Sequence, residues 1–87
     1  MNNSSKRLTR EEYIEKILII LYQTDVPMLN IKEIADKIEV TQQTLTKYLY
    51  FILNTYLEEH ISGSSKYYYL NKKGKEKAKK ILEKRKI

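Results

Sequence analysis

The sequence predicts one small, mostly α-helical domain with a β-hairpin, in the order α1-α2-α3-β-β-α4. Its length of 87 residues suits a single hydrophobic core, and 41% apolar content is that of a packed globule rather than a disordered chain. Apolar residues recur every three or four positions in four separate stretches, as they do on amphipathic helices. Before the last of these stretches, two short runs with strand character flank Gly63, which indicates a hairpin.

Charge, cysteine content and hydropathy narrow the class of protein. The chain carries 17 Lys and Arg against 11 Asp and Glu, and it has no Cys. Disulfides and thiolate metal sites are therefore excluded, which fits an intracellular protein. The longest apolar run, residues 17–22, is far shorter than the roughly 20 residues that a membrane span requires. Residues 1–9 lack the apolar stretch of a secretory signal, so we expect a cytoplasmic protein without a membrane segment.

Helix 1 is predicted to begin at a capping box, in which Thr9 and Glu12 each satisfy a free backbone N–H of the other. Residues 1–8 are expected to form a flexible tail, and residues 9–87 a single domain. The helical period breaks over residues 23–27, where Pro27 disfavours helical geometry in the residue before it. The apolar surface of this helix is wider than one face, so either the small domain wraps it on several sides or a partner subunit covers part of it. The residues concerned are Tyr13, Ile14, Ile17, Leu18, Ile20, Leu21 and Tyr22.

Helices 2 and 3 are predicted to be joined by a tight connection. A second capping box, Asn30 with Glu33, opens a helix of about nine residues. Thr41 is a good N-cap for helix 3, which is predicted to span about residues 41–57. A short helix followed closely by a longer one is what a helix-turn-helix requires. The predicted inner stripe of helix 3 consists of Leu45, Leu49, Ile52, Leu53 and Tyr56.

A hairpin over about residues 60–70 and a last helix over about residues 72–86 complete the chain. Asn71 can cap this helix, which has a sparse apolar stripe and a wide cationic face. Through residue 71 the chain has 8 basic and 9 acidic residues, whereas residues 72–87 have 9 basic and 2 acidic. So dense a Lys segment either attracts a polyanion or is simply a solvated face. The predicted stripe is Gly74, Ala78, Ile81 and Leu82.

Two segments resemble winged helix-turn-helix regulators of the MarR, PadR and related bacterial and archaeal types. Residues 40–49, VTQQTLTKYL, are similar to the recognition-helix pattern V-S-x-x-T-V-S-R-x-L. Residues 68–74, YYLNKKG, resemble the Y-x-L-T-x-x-G segment that closes the wing, as the hairpin is called in these families. The resemblance implies that Tyr68 and Leu70 point inward. Tyr67 and Tyr69 alternate with them and are either exposed or cover helix 1 or helix 3.

The sequence departs from the family pattern at two glycine positions. Glu39 stands where the turn usually has Gly, and a positive φ there would cost a non-glycine residue about 1 kcal/mol, so either the turn is wider or that cost is accepted. Tyr56 stands where a Gly often ends the recognition helix, and we therefore expect helix 3 to run on toward Glu58.

The resemblance implies that helix 3 enters the major groove of DNA with its amino-terminal end at the base edges. Glutamine can pair bidentately with adenine, so Gln42 or Gln43 would favour an A·T-containing half-site. Thr44 would hold a phosphate, and Thr46 and Lys47 would approach bases or backbone farther along. The alternative is an ordinary polar helix start that faces water. The predicted DNA-binding residues are Thr41, Gln42, Gln43, Thr44, Thr46, Lys47, Tyr50 on the same outer side, and Lys66 on a phosphate.

We therefore expect a homodimeric, sequence-specific regulator of double-stranded DNA, acting as a repressor that occupies a promoter. In a dimer, the two recognition helices would meet half-sites about 34 Å apart. Helix 1 and the C-terminal helix offer apolar surface for the dimer interface. The C-terminal helix either packs within its own subunit or contributes to that interface, and its Lys side could run beside the DNA backbone. The alternative is a winged-helix module for protein interaction, replication or plasmid maintenance, because residues 1–71 are nearly neutral and Lys47 is the lone cation of helix 3. His60 is the only histidine, and no nucleophile, metal-ligand or phosphate-loop pattern indicates an enzyme, a metal or a cofactor.

Overall fold

The computed structural model describes residues 9–85, which form four helices and a three-stranded antiparallel sheet. The predicted tail, residues 1–8, and the last predicted helical position, residue 86, lie outside the described residues. None of the helices in the described part is long and apolar enough to cross a membrane. The elements are α1 (Arg10–Gln23), β1 (Leu29–Asn30), α2 (Ile31–Ile38), α3 (Gln42–Ile52), β2 (Leu57–Ser62), β3 (Ser65–Leu70) and α4 (Lys72–Arg85).

Both predicted capping boxes are confirmed, and they fix where α1 and α2 begin. The N–H of Thr9 donates to Glu12 Oε1 at 2.8 Å, while the N–H of Glu12 donates to Thr9 Oγ1 at 3.1 Å. The N–H of Asn30 donates to Glu33 Oε1 at 2.9 Å, and Asn30 Oδ1 accepts from the N–H of Glu33 at 2.8 Å. Each box satisfies two backbone donors that have no partner inside the helix.

The sheet contains one strand more than the predicted hairpin. β1 lies between α1 and α2 in the chain and pairs with β3, so the strand order in the sheet is β1-β3-β2. Leu29 pairs with Tyr68, and Asn30 pairs with Tyr67. Two residues are too few to show an alternating pattern, which is why the sequence did not predict this strand. Pairing with β1 makes β3 the central strand.

The turn between α2 and α3 accepts backbone strain at Glu39. Its φ of 61° and ψ of 48° are left-handed, and its N–H lies 3.3 Å from the carbonyl oxygen of Asp36. The N–H of Val40 donates to the carbonyl of Ala35 at 3.1 Å. This geometry is the usual end of a helix, although glycine adopts it at lower cost. Of the two expectations for Glu39, the left-handed turn is the one observed.

The predicted end of helix 3 near residue 57 is wrong, since α3 ends at Ile52. Asn54 has a φ of 71°, and Leu57 already begins β2, where it pairs with Leu70. The carbonyl of Tyr56 accepts from the N–H of Asn71 at 2.9 Å, which ties the turn to the start of α4. Leu53 and Tyr56, which keep the helical period, pack against the core from the segment that follows the helix. The hairpin consequently begins at residue 57 rather than 60.

The hydrophobic core lies between α1, the sheet and the remaining helices. Of the predicted stripe of α4, Gly74, Ala78 and Ile81 are buried and Leu82 is half-buried, and the helix packs against α1 and β3. Most of the apolar surplus of α1 is buried within the chain, and Tyr13 stacks on Tyr48 with ring centroids 4.7 Å apart. The largest fully buried side chains within residues 9–85 are Ile17, Leu18, Ile34, Leu45 and Leu57.

The alternation of β3 is as predicted. Tyr68 and Leu70 are buried, whereas Tyr67 is half-buried and Tyr69 is 37% exposed on the opposite face. The carboxyl end of this strand is held at Asn71, whose Oδ1 accepts from the N–H of Gly74 at 2.8 Å and whose Nδ2 donates to the carbonyl of Thr55 at 3.1 Å. Asn71 therefore caps α4, as predicted, and also joins the end of β3 to the turn that precedes β2.

Candidate nucleic-acid interface

The start of α3 is organised by two threonines that bond to each other. Thr41 Oγ1 accepts from the N–H of Thr44 at 3.1 Å, and its hydroxyl donates to Thr44 Oγ1 at 3.0 Å. Thr41 is thus the N-cap, and both of its bonds serve the first turn of the helix. The remaining backbone N–H groups of the turn give it a partial positive charge, as at any helix amino terminus.

One face of α3 is anchored and the opposite face is open. Leu45, Leu49 and Ile52 are buried on the inner side. Gln43 and Lys47 are exposed on the outer side. This separation follows from helical spacing, which places positions 43, 47 and 50 on one row and positions 45, 49 and 52 on another. The row formed by Gln43, Lys47 and Tyr50 is therefore exposed to solvent.

Tyr50 extends the open row toward the hairpin and is 75% exposed. Gln42 is also exposed, next to Gln43 at the first turn. Thr46 is half-buried, and its hydroxyl donates to the carbonyl of Gln42 at 2.8 Å. That bond occupies the hydroxyl proton of Thr46, so this side chain can offer a ligand only its acceptor lone pairs.

A groove lies between α3, the beginning of α2 and the tip of the β2–β3 hairpin. Its volume is about 410 Å³, and it brings together three of the predicted site residues, Thr46, Tyr50 and Lys66. Hereafter we call it the α3–hairpin groove. The remaining predicted residues, Thr41 to Thr44 and Lys47, do not line it and lie on the open face of the same helix. The predicted residues therefore form two adjoining parts, a helix face and a groove.

Lys32 also lines the α3–hairpin groove, although it is not among the residues predicted from the sequence. It occupies the first turn of α2, between the two residues of the Asn30–Glu33 capping box. A cation in the first turn interacts unfavourably with the helix dipole, so the charge of Lys32 does not stabilise α2. That mismatch is a signal that the sequence already contained. In the folded chain, Lys32 and Lys66 supply positive charge to the rim from two different elements.

Tyr68 and Glu59 form a polar pair in the wall of the same groove. The Tyr68 hydroxyl donates to Glu59 Oε2 at 3.1 Å. Burial, the hydrogen bond to Glu59 and the negative charge of that carboxylate raise the pKa of Tyr68 to about 12. The carboxylate would repel a phosphate that entered deeply. An anionic ligand is therefore directed to the lysines at the rim.

The cationic face of α4 does not line this groove, because α4 packs against α1 and β3. Within residues 9–85, no group of three or more His, Cys, Asp and Glu side chains is placed to hold a metal ion. Comparison of the chain with protein-family models and with curated proteins finds no match.

Proposed function

We propose that this chain is a sequence-specific regulator that binds double-stranded DNA through α3, as a winged helix-turn-helix protein. It acts as a homodimeric repressor that occupies a promoter. The observation that carries the proposal is the open outer face of α3, on which Gln43 and Lys47 are exposed while the inner face is anchored in the core. A helix fixed on one side and polar on the other suits the major groove of B-DNA.

The hydrogen-bonding groups on this face match what DNA offers. The side-chain amide of Gln43 can donate to N7 of adenine and accept from its N6 at the same time. Such bidentate pairing gives about 1–3 kcal/mol of discrimination against the wrong base. Lys47 follows one turn later and suits either a guanine edge or a phosphate. Gln42 and Thr44 lie at the amino-terminal turn, where the helix dipole favours a phosphate.

The α3–hairpin groove supports a second set of contacts to the same duplex. Lys32 and Lys66 at its rim supply charge beside the recognition face, and the exposed ring of Tyr50 suits a sugar. Such contacts position a protein without reading sequence. Each neutralised phosphate is expected to steepen the salt dependence of binding by about 0.9 in log-log slope.

A gel-shift titration with the upstream DNA of the coding gene tests the proposal. We expect a defined site, and replacement of Gln43 and Lys47 with Ala should weaken binding to it without changing the unfolding midpoint. Matched controls are Gln23→Ala and Lys16→Ala, which alter the same residue types at exposed positions of α1. Binding that is indifferent to sequence, or full affinity of the α3 variants, would contradict the proposal.

A second candidate is a winged-helix module for protein interaction, replication or plasmid maintenance. Two apolar side chains favour it, since Tyr50 is 75% exposed and Ile61 is 60% exposed. Ile61 pairs with Lys66, so both lie on the face of the hairpin that carries Tyr68 and Glu59. Association with a protein partner that is insensitive to salt, together with no specific DNA site, would favour this function over the first.

A further inference from the structure

The α3–hairpin groove has cations at its rim and a carboxylate in its wall. Lys32 comes from the first turn of α2 and Lys66 from the start of β3, and both residues are exposed. Glu59 lies in the wall, where its Oε2 accepts from the Tyr68 hydroxyl. Within the described part of the chain, neither lysine forms a salt bridge with this carboxylate. The groove therefore keeps positive and negative charge apart on one surface.

The same groove also offers apolar surface. The Tyr50 ring is 75% exposed, and Leu53 in the same lining is half-buried. An exposed aromatic ring is a platform on which a nucleobase can stack. The groove volume of about 410 Å³ lies within the range of roughly 300–1,000 Å³ that is usual for small-ligand sites. A planar ligand with an anionic group and an N–H donor would contact all three kinds of surface.

We propose that the α3–hairpin groove binds a single unpaired nucleotide whose base carries an exocyclic amino group, such as cytidine monophosphate (CMP). The phosphate lies against Lys32 and Lys66, since two ammonium groups match the nearly two negative charges of a phosphate monoester. The base stacks on the Tyr50 ring. Its amino group donates to the carboxylate of Glu59, as the N4 amino group of cytosine does to acidic side chains.

An unpaired nucleotide fits this arrangement better than a duplex or a simple anion. In a duplex the base is stacked and paired, so it cannot enter a recess unless it is extruded. A ligand that is anionic at both ends is repelled by Glu59. A bound nucleotide would also occupy Tyr50 and Lys66, which the proposed function gives to DNA. Only this last consequence rests on the proposed function.

Titration of the isotope-labelled chain with CMP, followed by NMR in the absence of DNA, tests the site. We expect saturable shifts of the backbone N–H signals of Lys32, Tyr50 and Lys66, with a Kd of about 1 mM or below. Uridine monophosphate (UMP) has a carbonyl where CMP has its amino group, so it presents an acceptor to Glu59 and should bind at least about tenfold more weakly. Cytidine, which lacks the phosphate, should also bind at least about tenfold more weakly.

Glu59→Gln separates recognition of the base from general effects of charge. The amide oxygen still accepts from the Tyr68 hydroxyl, but the amide now presents an N–H to the ligand, so the variant should bind UMP at least as tightly as CMP. Glu76→Gln makes the same change at an exposed position of α4 and should keep the CMP preference. Lys32→Ala should weaken CMP and UMP by the same factor of about ten, whereas Lys79→Ala on α4 should weaken neither.

A single-stranded deoxycytidine oligomer distinguishes the two sources of such a nucleotide. Binding tighter than that of CMP would support the groove as a site for an unpaired base within a strand, and weaker binding would support a site for the free nucleotide. No saturable binding of CMP, equal affinity for CMP and UMP, or a CMP preference that survives Glu59→Gln would each overturn the inference. Because no duplex is present, these outcomes are independent of whether α3 reads DNA.

Discussion

Replacing Gly74 with Ala should destabilise the protein, although Ala is the better helix former. In the interior of an exposed helix the same change would stabilise by about 1 kcal/mol. At Gly74, however, a Cβ would stand well inside van der Waals contact of the Tyr56 carbonyl oxygen and 3.0 Å from Leu70 Cδ2. A loss of stability in Gly74→Ala would therefore reflect the close packing of the start of α4 against this carbonyl.

The magnitude follows from what must move. Overpacking of this kind costs about 1–3 kcal/mol. Shifting the Tyr56 carbonyl also weakens its 2.9 Å bond from the N–H of Asn71, worth about 1 kcal/mol. After the helix-propensity gain is subtracted, we expect a net loss of about 1–3 kcal/mol, which for a domain of this size lowers Tm by about 4–8 °C per kcal/mol.

Urea unfolding followed by circular dichroism measures this loss, with two controls. Gly63→Ala meets no atom within 4 Å but has a φ of +62°, so it should cost only about 1 kcal/mol of backbone strain. Lys75→Ala is exposed in the same turn as Gly74 and should change stability by less than about 0.5 kcal/mol. A Gly74→Ala protein as stable as the unaltered chain, or more stable, would mean that Gly74 is not packed tightly against the Tyr56 carbonyl.

Three further predictions concern other parts of the molecule. Glu39→Gly should stabilise by about 1 kcal/mol in urea unfolding, because glycine adopts the left-handed turn without steric cost, and an unchanged midpoint would contradict this. Lys32→Ala should lower the log-log salt slope of DNA binding by about 0.9 with base preference unchanged, whereas an altered preference would argue for base contact. The pKa of Tyr68 is raised from 10.0 to about 12, so its contribution to stability is complete below pH 10 and is lost as pH rises through 12. Tyr68→Phe should therefore flatten the fall in stability between pH 10 and 12, and the exposed Tyr69→Phe control should not.

Local signals predicted the helix starts well because their partners are close in sequence. The boxes at Thr9 and Asn30 join residues three positions apart, and Thr41 bonds to Thr44 across the same spacing. The helical period likewise predicted which residues of α3 are buried and which are exposed, because side chains on one face of a helix recur every three or four positions. The exposed positions of Gln43 and Lys47 follow from that row.

Features fixed by distant parts of the chain were not predictable in this way. The end of α3 depends on a bond between Tyr56 and Asn71 and on the close approach of Gly74, which the period of residues 45–56 does not encode. β1 is two residues long and exists because β3 lies beside it. Lys32 joins the candidate site only through tertiary packing, although its unfavourable place in the first turn of α2 was visible.

Recognition of DNA by the exposed face of α3 can be measured by selecting bound fragments from random duplex DNA, in parallel with the unaltered chain and with Gln43→Ala. We expect a two-fold repeated motif with an adenine preference in each half, and loss of that preference in the variant while the spacing of the halves is kept. No enriched motif, or an identical motif from both proteins, would contradict recognition of DNA by this face.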